Sequence, residues 1–109
     1  MSDRLPAHLE VSGLIRTVQA AGGFASVLHK GERDAGTILL ILTERGGNPR
    51  LFERLPSIDG TRNWQTVSIQ DIDNKDIFDE YQRRRVSQDP DLWIVELDIV
   101  NGERLIGLS

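Results

Sequence analysis

No cysteine occurs in the 109 residues, which excludes a disulfide framework and any thiolate nucleophile or metal ligand. Nitrogen ligands are nearly as scarce. His8 and His29 are the only two histidines, and neither stands in a His-x-x-x-His or His-x-x-Glu-His arrangement, so no metal is expected. Ser12, Ser26, Ser57 and Ser68 lack the Gly-x-Ser-x-Gly elbow of a nucleophile. Long apolar runs are missing too: the longest aliphatic stretch, Ile38 to Leu42, falls far short of the ~20 residues that span a bilayer, and no secretory pattern opens the chain. A cytoplasmic protein without membrane contact is expected.

Clustered positive charge is also in short supply, with a net charge of −4. Residues 1–56 carry seven basic and six acidic groups, and residues 57–109 six and eleven, or +1 and −5. Such a balance works against broad binding to nucleic-acid phosphates. Eleven of the thirteen basic residues are Arg, which suits bidentate recognition of carboxylate or phosphate, although codon bias explains the count as well.

The length suits one domain that buries ~65% of its unfolded surface. Leu9 and Val11 alternate with His8 and Glu10, suggesting a short first strand, with Ser12 capping a helix that ends at Gly22-Gly23. Alternatively one helix starts near Pro6 and runs through Gly13. Phe24 to Lys30, Thr37 to Glu44 and Arg50 to Leu55 read as an antiparallel meander with turns at Gly31 to Gly36 and at Gly46-Gly47-Asn48-Pro49. Thr37 to Thr43 is apolar on both faces and belongs at the centre, whereas Arg50 to Leu55 alternates and should have one wet face. Asn63 to Ile69 adds a strand after Asp59-Gly60.

Asp73 caps a second helix with an apolar stripe of Ile77, Phe78 and Tyr81, ending before Pro90. Leu92 to Val100 is a buried strand carrying Trp93, Val95, Leu97 and Ile99 in phase. Asn101-Gly102 then signals a hairpin to a last strand, Glu103 to Leu108, with Leu97 opposite Leu105 and Asp98 opposite Arg104. The expected fold is α+β: a mainly antiparallel sheet of about five to seven short strands with two helices in a single domain.

Arg83-Arg84-Arg85 is the obvious candidate for binding an anion or RNA phosphate. The same residues complement the carboxyl end of the helix dipole and stand at ion-pair spacing from Asp79 and Glu80, with Arg85 in reach of Asp89 or Asp91, so a structural role is preferred. Gly31 to Gly36 lacks the Gly-Lys-Ser/Thr ending of a phosphate loop and reads as a hairpin loop. Asp71, Asp73, Asp76, Asp89 and Asp91 do not match the twelve-residue calcium loop. Trp93 is a core residue. Trp64, flanked at short range by Arg62 and Gln65, is a plausible partner hot spot.

The order of features then matters: Arg16 in a helix ending Ala20-Ala21-Gly22, Ala35-Gly36 opening an aliphatic strand, and Arg83-Arg84-Arg85 ahead of Asp89-Pro90-Asp91-Leu92-Trp93-Ile94-Val95-Glu96. The chain resembles a family of small alphaproteobacterial proteins known as domain of unknown function 1491, over nearly its whole length. That resemblance implies a bacterial cytosolic single domain, and it brings no activity, cofactor or catalytic residue with it.

These observations favour a non-catalytic module that binds a protein partner or a second copy of itself through a sheet face or edge, with the carboxyl-terminal hairpin as the leading edge. The alternative is RNA or nucleotide binding through Arg-rich surface. A small enzyme ranks third, since no converging titratable groups can be located. No catalytic residue, metal or cofactor is assigned. Arg83, Arg84, Arg85, Arg62 and Trp64 are the candidates for anion or partner binding.

Overall fold

In the computed structural model, which describes residues 5–54 and 64–107, the chain opens with a helix. α1 spans Ala7–Ala20. The alternation of Leu9 and Val11 that suggested a strand is overruled, because Ala7, Glu10, Val11 and Val18 are buried along one helical face. Burial of that face outweighs the ~1 kcal/mol that Gly13 costs inside a helix. The alternative of one helix from Pro6 through Gly13 is the observed one. Its end matches expectation: Gly22 takes φ +90°, and the amides of Gly22 and Gly23 donate to the carbonyls of Gln19 and Val18 at 3.1 and 2.9 Å, the bond pair of a glycine-terminated helix.

The remaining elements are β1 (Phe24–His29), β2 (Ile38–Glu44), β3 (Gly47–Arg54), β4 (Trp64–Val67), α2 (Lys75–Gln88), β5 (Trp93–Asp98) and α3 (Gly102–Leu105). The strands form one mixed sheet of order β1-β5-β2-β3-β4. β2 and β3 make the expected hairpin, but β1 does not pair with β2. β5 lies between them, parallel to β2 with Ile38 against Trp93 and Thr43 against Asp98. The other pairings are antiparallel. β2 and β5, apolar on both faces, each take a place with a strand on either side.

This insertion changes the loop at Gly31 to Gly36, which is no hairpin loop. It straps over the start of β5: the Glu32 amide donates to the Asp91 carbonyl at 2.9 Å, and the Trp93 indole donates to the Glu32 carbonyl at 2.7 Å. A Cβ on Gly31 would collide with the Asp91 carbonyl, so the close crossing needs glycine there. The same strap caps α1, since Ala7 and His8 donate their amides to the carbonyls of Asp34 and Arg33, each at 2.9 Å.

Three further expectations shift. The β2–β3 turn is Arg45-Gly46, both at positive φ, and its two amides donate to the Asp98 carboxylate at 2.7 and 2.8 Å. α2 is capped by Asn74, whose side chain accepts from Asp76 and Ile77; Asp73 lies one residue too early. Asn101 does adopt the left-handed conformation of a hairpin turn, yet the chain continues as α3 and not as a strand. β5 already pairs with β1 on one side and β2 on the other. A hairpin partner has no vacant side, so Leu97 does not face Leu105 and Asp98 does not face Arg104. Leu55, Asp59, Gly60 and Leu108, also named above, lie outside the described residues.

The helices cover both faces of the sheet. α1 and α3 pack on the side of Leu40, Leu42, Val95 and Leu97, where Trp93 is also buried as expected, and Ile99 packs at the margin. α2 covers Leu39, Ile41, Leu51 and Ile94, and of its expected stripe Phe78 and Tyr81 face the sheet while Ile77 stays exposed. The alternating charges of β3, expected in water, instead reach the helices. Arg50 donates to both oxygens of Glu103 on α3 at 2.6 and 2.8 Å, Glu53 pairs with Arg85 on α2, and Arg54 pairs with Glu10 on α1. Each helix is tied to β3 by one ion pair. The Arg54–Glu10 pair is 5% and 7% exposed, so its charges are desolvated together.

Candidate functional site

The three arginines at the end of α2 do not converge. Arg83 pairs with Glu80 at 3.1 Å on the exposed surface. Arg84 is exposed. Arg85 turns inward to Glu53 and to the Tyr81 hydroxyl at 2.8 Å, and lies over the Tyr81 ring at 5.8 Å. The expected pairs Asp79–Arg83, Glu80–Arg84 and Arg85 with Asp89 or Asp91 are replaced: Asp79 pairs with Lys75 at 3.0 Å, Glu80 with Arg83, and Arg85 with Glu53. Trp64 is half-buried against the α1-side core. Arg62 lies outside the described residues.

Both histidines serve the backbone. The Nδ1 of His8 donates to the Arg33 carbonyl at 3.0 Å and that of His29 to the Leu92 carbonyl at 2.6 Å, the direction being fixed because a carbonyl can only accept. Among the described residues no three His, Asp or Glu are grouped to hold a metal ion. The described residues include no helix long and apolar enough to cross a membrane.

What the structure does bring together is an apolar edge. β1 ends the described sheet on one side, and its residues Phe-Ala-Ser-Val-Leu-His include no charge and no proline. Phe24, Val27 and Leu28 are 76%, 44% and 48% exposed. Soluble proteins usually blunt an edge strand with lysine, proline or a covering element, because its unpaired backbone groups template another strand. Among the described residues, β1 shows only the irregularity in its pairing after Val27, where the register with β5 shifts. The opposite edge, β4, is four residues long and exposes Gln65 and Thr66.

A groove of about 570 Å³ lies beside β1, between Leu28, His29 and Ile94 of the sheet and Arg83, Val86 and Ser87 of α2. Among the described residues, Arg83 is thus the one sequence-chosen candidate placed next to the apolar edge. Sequence reading put the edge at the carboxyl terminus and missed β1. A signal was present: Leu92 to Val100 is apolar enough on both faces to demand two neighbours, which pushes the more weakly patterned Phe24 to Lys30 outward.

A family model described as a protein of unknown function, DUF1491, matches residues 5–107. The chain belongs to this family. A crystal structure of a DUF1491 family protein from Caulobacter crescentus is similar at 33% identity, with a TM-score of 0.75 over 93% of this chain and 94% of that one. The solution structure of a protein from A. tumefaciens is similar at 32% identity and a TM-score of 0.75, covering 94% and 92% of the two chains. No curated protein matches.

Proposed function

We propose that this member of the DUF1491 family is a non-catalytic cytoplasmic module that binds a protein partner by adding one of the partner's strands to β1. The observation that carries the reading is the uncharged, proline-free edge with Phe24, Val27 and Leu28 exposed. Backbone groups of an edge strand supply affinity to any extended segment, and flanking side chains select among them. Here the selecting groups are the exposed apolar residues and Arg83 at the rim of the neighbouring groove.

Lysine at Val27 and Leu28 tests it, since both positions are exposed and the substitution reproduces a natural edge guard. Tagged wild type, purified from the native cell with nuclease present, is expected to retain a protein that the double variant loses, while both melt at the same temperature. Light scattering over a concentration series identifies the case in which the partner is a second copy. A partner indifferent to the lysines overturns the reading. A nucleic acid retained without nuclease and lost on replacing Arg83 and Arg84 with Gln would favour the RNA-binding alternative.

A further inference from the structure

A second groove opens where β2 and β5 end. Because these strands are parallel, their carboxyl ends lie at the same end of the sheet. There the chain departs in two directions, β2 through the Arg45-Gly46 turn and β5 through Asn101 into α3. Divergence at the carboxyl ends of parallel strands leaves a crevice, the usual place for ligands in open sheets with parallel strands. The space measures about 700 Å³, within the range of small-molecule sites.

Its walls are mainly apolar, formed by Phe24, Ile99, Val100 and Leu105, with Arg45 and Arg104 among them. Phe24 and Val100 are 76% and 56% exposed, an uncovered apolar surface beside two cations. Neither arginine has an acidic partner among the described residues, a state they share with Arg16, Arg33 and Arg84, but these two stand together against an apolar wall. The Asp98 carboxylate in the same groove has both oxygens taken by the Arg45 and Gly46 amides. Two guanidinium groups against one carboxylate leave one positive charge, in a chain whose net charge is −4.

We propose that this groove binds a small monoanion carried on an apolar body, such as a medium-chain carboxylate. The apolar walls take the body, and the planar donors of Arg45 and Arg104 take the carboxylate oxygens. A doubly charged head would meet repulsion from Asp98, which selects for a single charge.

Octanoate serves as the probe, octanol as its uncharged match and inorganic phosphate as an anion without the body, each titrated while amide resonances are followed. Octanoate is expected to shift Gly22, Gly23 and Asn101 saturably, and Arg45→Gln with Arg104→Gln to weaken it about tenfold while leaving octanol unchanged. Phosphate is expected to leave these amides unmoved. Both arginines are exposed, so the variant keeps its fold, which the dispersion of the same spectrum verifies; Arg104→Gln alone serves if it does not. Equal affinity for octanoate and octanol, an affinity indifferent to the arginines, or shifts that never saturate would each overturn the assignment.

Discussion

The two faces of the sheet are covered by helices of equal length and unequal commitment. α1 buries Ala7, Glu10, Val11 and Val18, and its ion pair to β3 is almost sealed from water. α2 buries no residue to that degree; it rests on the sheet through half-buried Phe78, Tyr81 and Val86, and its pair to Glu53 is 22% and 17% exposed. Local stability follows the apolar surface an element removes from water. The α1 side is therefore expected to carry more of the stability than α2, which lies next to the apolar edge of β1.

The largest test of that contrast is charge removal. Glu10→Ala removes a carboxylate that Arg54 pairs with almost out of water and is expected to cost several kcal/mol (~3) in denaturant unfolding, more than Arg85→Ala, whose pair with Glu53 keeps some contact with solvent. Equal losses would erase the distinction. Core truncation comes next: Leu97→Ala, on the α1 face with no exposure, should cost about 2–5 kcal/mol, and Phe78→Ala, half-buried, about 1 kcal/mol. A reversed order would mean that α2 carries more than its burial implies.

The smallest effect concerns α3, the minor partner on the α1 face. The hydrogen bonds from Arg50 hold the Glu103 carboxyl below its usual range. A depressed folded value means that this contribution is present above the ordinary glutamate value of 4.5 and is lost as pH falls through the folded one. Glu103→Gln should therefore be less stable than wild type at neutral pH, with the gap closing in acid; a gap constant from pH ~7 to ~3 would show that the pair is not its source.

Local signals in the sequence were sufficient for β5, whose density of β-branched and aromatic residues has one reading, and for the carboxyl end of α1, where Gly22 serves a single geometry. They failed where a neighbour decides. Leu9 and Val11 fit a strand until the face containing Ala7 and Val18 is buried. Asn101 fits a hairpin until both sides of β5 are taken. The ion pairs of β3 join residues far apart in the chain, such as Glu10 and Arg54 or Arg50 and Glu103, and no spacing rule reaches that distance. For the same reason the sequence showed the arginines of α2 as one run, while the fold sends Arg85 inward and leaves Arg83 and Arg84 outside.

The charges of β3 also bear on how the chain avoids pairing wrongly. Glu53 and Arg54 are adjacent and point to opposite faces, toward Arg85 and Glu10 respectively. A strand that slips by one residue sends its side chains to the wrong faces. Slipping one way would bring Glu53 to Glu10, and slipping the other way would bring Arg54 to Arg85, so either error sets like charges together with little water to screen them. Two neighbouring residues thus act as a key cut on both edges, which turns in one register and jams in the two beside it.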